Sequence, residues 1–176
     1  FDGNGYNTAM GFQAGAAVTT GTENTLIGGL AGDALTTGSY NTALGYLALS
    51  TEDTTGRNVA IGYSALATQN AGADAYNVAV GYFTGKSITT GTHNTIMGGL
   101  AGDALTTGAS NVAIGYGALT TEDAHGRNVA IGHNALATQD AGADAYNVAI
   151  GYTAGVLIST GTNHTLLGAL AGDALT

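Results

Sequence analysis

The side chains best suited to bind a metal or move a proton in this sequence are twelve Asp and Glu and four His. The acids fall singly or in pairs. The densest group is "TED", at 51–53 and again at 121–123, which could seed a Ca²⁺ site. A calcium-binding roll, however, needs a GGxGxD-like pattern in each turn, and that pattern does not occur. Asp33, Asp103 and Asp173 recur in "AGDALT" and read as solvated turn residues. His93, His125, His133 and His164 show neither HxH nor HExxH spacing. His133 stands where other copies of a repeat carry Tyr, and His164 where they carry Asn. No Ser/His/Asp constellation separates from the abundant Ser and Thr, and "GGLAGDAL" lacks the Lys-Ser/Thr of a phosphate loop. The expectation is a non-enzymatic chain with no catalytic residue, no metal site and no cofactor.

What the sequence does carry is repetition. "NVAIG" at 58–62 returns at 111–115, 128–132 and 147–151, with "NVAVG" at 77–81. The anchoring Asn recurs at Asn7, Asn24, Asn41, Asn58, Asn77, Asn94, Asn111, Asn128 and Asn147, in steps of 17 or 19 residues, and His164 opens a tenth copy. Four copies make a 70-residue super-repeat, seen when "GRNVAIGYSALATQ" at 56–69 is set against "GRNVAIGHNALATQ" at 126–139. Fixed periods of this kind mark stacked repeat architectures.

With Asn as position one, the second residue is always Thr or Val and the fourth always a large aliphatic, from Met10 and Ile27 to Leu167. The fifth is Gly in all ten copies. Positions two and four share a face at period two, a strand signature, and the Gly ends the strand. Frequent Gly and short apolar stretches argue against helix. Seventeen residues trace at most about 56 Å of extended chain, enough for two short strands and two turns around a thin core. The fold class expected is therefore all-β: a parallel β-solenoid of about ten coils over residues 1–176, rising about 4.8 Å per coil into a rod about 48 Å long. The chain reads as one repeat array, excerpted from a longer one.

In this reading positions two and four point into the core and position three points outward. Leu26, Ile96 and Leu166, which enlarge an otherwise Ala third position, are then candidate subunit contacts. In the same coils the sixth position shrinks to Gly29, Gly99 and Ala169, so third and sixth are expected to share a packed neighbour. The return segment supplies one large apolar residue per coil, either at the twelfth position (Val18, Leu35, Ile88, Leu105, Ile158, Leu175) or at the ninth (Leu49, Leu66, Leu119, Leu136), the latter with Glu52, Gln69, Glu122 or Gln139 twelfth. The Asn residues form either a stacked amide ladder or a set of turn-tolerant strand entries. Arg57 lies 17 residues before Asp74, and Arg127 17 before Asp144, a register that stacks them as surface ion pairs.

Only 9% of residues are charged and none is Cys, Pro or Trp, so disulfides are excluded and the surface lacks the charge of an ordinary soluble domain. The net charge of −9, with Arg57, Lys86 and Arg127 the only Lys or Arg, argues against nucleic acid and against anionic membrane surfaces. No apolar run reaches the roughly 18 residues of a membrane-spanning helix.

"NVAIG", "NVAVG" and "NTALG", each followed by small residues and a Gly/Thr turn, resemble the head repeats of YadA-like trimeric autotransporter adhesins and the "NTALGYxAL" repeats of tail-fibre-like proteins. The resemblance covers essentially the whole chain, although the heads of that family have shorter repeats. It implies a left-handed parallel β-roll, three chains side by side as a homotrimer, projecting from a cell or virion. The function expected is a structural segment of an extracellular fibre or filament. The super-repeat would set markers about 19 Å apart, at the insertions around "ADAYN" (74–77 and 144–147). An alternative is a carbohydrate-binding adhesive module using Tyr63, Tyr82, Tyr116 and Tyr152 on surface glycans. A minor alternative, from the "TTG" turns at 36–38, 89–91 and 106–108, is an ice-binding solenoid.

Overall fold

The computed structural model describes residues 5–54 and 56–176. Ten strands of three residues each stack in chain order into one parallel sheet: β1 (Thr8–Met10), β2 (Thr25–Ile27), β3 (Thr42–Leu44), β4 (Val59–Ile61), β5 (Val78–Val80), β6 (Thr95–Met97), β7 (Val112–Ile114), β8 (Val129–Ile131), β9 (Val148–Ile150) and β10 (Thr165–Leu167). Register follows the repeat, with Thr25 opposite Thr42 and Val59 opposite Val78. The chain is a β-solenoid, as its period requires.

Each coil holds one strand, not two. The rest of the coil is turn, yet it too is hydrogen-bonded from coil to coil: Gly15 N–H donates to Ala31 O, Leu49 to Ala65 O and Leu119 to Ala135 O, each at 3.0 Å. The return path needs no second sheet because left-handed residues bend it tightly. The seventh and ninth positions and the residue before each Asn all have positive φ, as at Leu47 (56°), Leu49 (53°) and Tyr40 (62°). The two additional residues of the 19-residue coils leave β4–β5 pairing intact and emerge as an exposed bulge at 72–74, with Gly72 at φ 68°.

The invariant fifth Gly has two causes. Its φ lies between 121° and 144° throughout, a region costly for L-residues. In addition, a Cβ on Gly62 would collide with the carbonyl oxygen of Gly81 in the next coil, and the same collision recurs along the stack.

The core is inside out relative to the sequence expectation. The third residue of the strand is the buried one: Leu26, Ala43, Ala60, Ala79, Ile96, Ala113, Ala130 and Ala149 are all fully enclosed. Second and fourth residues point outward and are partly or largely exposed. Leu26 and Ile96 therefore pack within their own solenoid and cannot be subunit contacts, and Leu166, partly buried in the terminal coil, packs on the same core.

The physical reason is the thinness of the coil. Leu49, Leu66, Leu119 and Leu136, or Leu35, Ile88, Leu105 and Ile158, enter from the return segment and are themselves fully buried. Opposite a ninth-position Leu, the strand can offer only Ala. Where the ninth is Gly, a large third residue fits: a Cβ at Gly32 would stand 2.8 Å from Leu26 Cδ2, and one at Gly102 3.1 Å from Ile96 Cδ1. The third position thus trades volume with the ninth, not with the sixth. Gly29 and Gly99 lie on the outside, beside the rings of Tyr46 and Tyr116.

Candidate functional site

Two arrangements of side chains run the length of the rod, one inside and one outside. Inside, each Asn is held by its own coil and its neighbour. The Oδ1 of Asn24 accepts the backbone N–H of Asn41 at 2.9 Å, and the pattern repeats from Asn7 through Asn147, whose Oδ1 accepts from His164 N–H at 2.8 Å. Several Nδ2 groups turn back into their own coils, Asn24 donating to Gly38 O, Asn77 to Gly91 O and Asn94 to Gly108 O. The row is an amide-to-backbone ladder, with one amide-to-amide contact along it at Asn111 Nδ2 and Asn94 Oδ1, 3.2 Å apart. His164 preserves the backbone donor but supplies no Oδ1.

Sequence reasoning missed a second buried polar set. Glu52, Gln69, Glu122 and Gln139 are fully enclosed, although they read as surface residues. Gln69 Oε1 accepts from Asn77 Nδ2 at 2.8 Å and Gln139 Oε1 from Asn147 Nδ2 at 2.7 Å, tying each 19-residue coil to the next. Glu122 accepts from Asn128 Nδ2 at 3.4 Å and from the His125 backbone N–H at 3.2 Å, and burial pushes its carboxyl above the ordinary range. The only clue in sequence was position: polar residues occupy the slot that Leu or Ile fills in the other coils. Asp33 and Asp103 also depart from the expected solvated turn. Both are half-buried, burial raises their carboxyls, and Asp33 Oδ1 has no hydrogen-bond partner among the described residues.

Outside, positions two and four form a strip two side chains wide. Val59, Ile61, Val78, Val80, Val112 and Ile114 are half-buried, while Met10 (66%), Leu44 (42%) and Met97 (40%) are more open. Beside it run the sixth-position rings. Tyr46, Tyr63 and Tyr82 stack at centroid separations of 5.6 and 5.5 Å; Tyr116, His133 and Tyr152 stack at 5.5 and 5.4 Å. His133 fills a ring position in the stack, the place its alignment with Tyr implied. Gly99 separates the two triplets. Stacking turns the ring faces along the rod axis, so the middle ring of each triplet has both faces covered. Tyr63, in the middle, presents its edge and hydroxyl, while Tyr82, Tyr116 and Tyr152 end their triplets and are each stacked on one side by a sixth-position ring.

On another edge, Arg57 Nε pairs with Asp74 at 2.5 Å and Arg127 Nε with Asp144 at 2.8 Å, in the register expected. The Arg57 guanidinium also lies 4.7 Å from the Tyr40 centroid and 5.7 Å from that of Tyr76. All these groups are exposed, so solvent screens each pair and it contributes little to stability. The "TTG" threonines are held in coil-to-coil bonds: Thr36 Oγ1 donates to Asp53 O at 2.9 Å and Thr106 Oγ1 to Asp123 O at 2.8 Å.

Fold and surface together define a tandem-repeat β-solenoid with an apolar strip along its sheet face. Comparison with family models, curated proteins and solved structures finds no match to this chain.

Proposed function

We propose that this chain is a stiff structural segment of an extracellular fibre or filament, in which copies pack side by side, as a homotrimer, through the outward face of β1–β10. The observation that carries this reading is the outward strip formed by a large aliphatic residue at position four of every coil and Val or Thr at position two. The strand face alone is about 10 Å wide and about 48 Å long, roughly 480 Å². Thr at half of the second positions adds methyls and hydroxyls to that area, whose size matches the largest apolar patch of a typical monomer, about 300–600 Å². With the adjoining ring stacks it approaches the roughly 800 Å² per partner of a stable interface. The interface is thus assigned to residues such as Val112, Ile114, Val129 and Ile131, in place of Leu26 and Ile96. The work done is geometric: hydrogen bonds on every side of each coil and an unbroken core resist bending, and the super-repeat displays the same surface every four coils.

Native mass spectrometry of the 176-residue chain tests the assembly, with Ile114→Asp/Ile131→Asp as the interface variant. A trimer for the parent and a folded monomer for the variant is the expected result. A parent that remains monomeric at tens of micromolar would overturn it. Negative-stain images of the longer natural assembly should show a narrow rod.

A further inference from the structure

We infer that Glu122, Asp123 and His125 form a binding site for one Zn²⁺-class ion, a metal clamp on the return turn between β7 and β8. One oxygen from each carboxylate and one ring nitrogen lie within 4.8 Å of one another. The inner member is unusual. Glu122 is fully enclosed, and among the described residues its two oxygens receive only the long hydrogen bonds from His125 N–H and Asn128 Nδ2. The His125 side chain is one-third exposed, but its Nδ1 atom is sealed from solvent and has no hydrogen-bond partner among the described residues. It stands 3.9 Å from Glu122 Oε1.

That separation is too long for a hydrogen bond. It suits two ligands of one ion: with bonds of about 2.0–2.2 Å, ligand atoms lie roughly 3.0–4.2 Å apart, depending on the angle at the metal. Asp123 is exposed, so its carboxylate can swing inward by the fraction of an ångström still needed, leaving the outer positions to water. A site of one imidazole and two carboxylates suits Zn²⁺ and its neighbours over Ca²⁺, which takes six to eight oxygens. Binding would relieve both the buried carboxylate and the orphaned nitrogen.

The site is absent from the preceding super-repeat by sequence, because Thr55 occupies the place of His125 beside Glu52 and Asp53. Thr55 lies outside the described residues. The inference is independent of the assembly proposed above, since all three ligands come from one turn of one chain.

Calorimetric titration of the whole chain with ZnCl₂ at pH 7.5, alongside CaCl₂, tests it. The expected result is one Zn²⁺ per chain and a raised Tm. Affinity should fall at least tenfold in both His125→Thr, which restores the residue of the earlier copy, and Glu122→Gln, which places at position twelve the residue already buried at Gln69 and Gln139. Gln is the residue buried at that position in two other coils and Thr the residue the sequence carries in the earlier copy, and circular dichroism checks that both variants remain folded. Absence of saturable Zn²⁺ binding, undiminished binding by His125→Thr, or two equivalent Ca²⁺ ions per chain at the "TED" turns would each overturn it.

Discussion

Replacing Ile96 by Ala is the sharpest test of which strand face is the core. Ile96 is fully buried on β6, and its Cδ1 lies 3.1 Å from where a Cβ of Gly102 would stand and 3.4 Å from that of Gly85. It fills the space left by glycines in its own coil and the one before, so the walls have little side chain with which to collapse. Losing three carbons costs about 2.4 kcal/mol of transfer free energy at about 0.8 kcal/mol each. A cavity of roughly 65 Å³ adds about 1.6 kcal/mol, giving about 4 kcal/mol, within the measured range for such truncations. At roughly 2–4 °C per kcal/mol for a chain of this size, thermal melts by circular dichroism should show a drop of about 8–16 °C. The second mutation supplies the decisive measurement. Gly102 has φ 54°, the value at which Leu119 already sits opposite Ala113, so Ile96→Ala/Gly102→Leu gives this coil the third and ninth residues of the other type while keeping Leu105 at the twelfth. The incoming Cβ would meet Leu105 Cδ1 at 2.9 Å, a flexible side-chain end that can move aside. Gly102→Leu alone overpacks against Ile96 and costs about 1–3 kcal/mol, yet in the double variant it should recover about 2 kcal/mol. Strictly additive effects around this double-mutant cycle would refute the reasoning that third and ninth positions share one space.

Two further outcomes follow from the buried polar groups. Asn94→Ala removes the acceptor of Asn111 N–H and the donor to Gly108 O, both in the interior; leaving these unsatisfied should cost about 2–5 kcal/mol, read as a lower urea midpoint, while a loss below about 1 kcal/mol would mean water replaces the amide. The raised carboxyls of Asp33 and Asp103 give the stability a pH dependence. Their folded forms hold protons above the ordinary value of 3.8 that the unfolded chain has released, so stability is greatest at acid pH and falls as pH rises from 3.8 through the raised values. Asp33→Asn/Asp103→Asn should flatten that part of the profile and raise the neutral-pH Tm; an unchanged slope in pH-dependent melts would count against burial as the cause.

The period, the parallel register and the ion pairs at Arg57 and Arg127 were legible in sequence because stacking converts spacing directly into contact. The choice of inner face was not, for a definite reason. Period two separates Ala60 from Val59 and Ile61 but does not say which side is inside, and apolar bulk pointed to Val and Ile. One signal did point the other way. Five of ten second positions are Thr, and a Thr at every such level of a thin core would bury hydroxyls whose backbone partners are already used. The exchange of Leu26 with Gly32, Ile96 with Gly102 and Leu166 with Gly172 was also present in the sequence. It was masked by the parallel change at Gly29, Gly99 and Ala169, which belongs to the ring stacks outside. Glu122 and Gln69 escaped notice because their burial depends on Asn128 and Asn77 as partners, and nothing local to either residue announces that.

The packing explains why the repeat that matters is 70 residues and not 17. The coils opening at Asn77 and Asn147 are small at both core positions, with Ala79 and Gly85, and Ala149 and Gly155. Their interior is filled from both sides. A Cβ at Gly85 would stand 3.2 Å from Leu66 of the coil before and 3.4 Å from Ile96 of the coil after. At Gly155 the same places are taken by Leu136, at 3.0 Å, and Leu166, at 2.9 Å. A coil of this type fills its own core only with the twelfth-position Ile88 or Ile158 and shares the rest with its neighbours, and one built on Ile96 or Leu26 needs a small neighbour to receive its side chain. The order large-third, Leu-ninth, Leu-ninth, small-small is therefore a packing sequence in which each coil is specified by the two it touches. In a one-dimensional stack, stability is the sum of such neighbour terms, so exchanging two coils would leave one interface empty and crowd another. The outer features inherit this period: the ring gap at Gly99 falls in the same coil as Ile96, and the bulge at 72–74 leads into the small-small coil. The surface repeat is thereby locked to the core repeat, and a partner chain bound along the strip meets the same pattern every fourth coil.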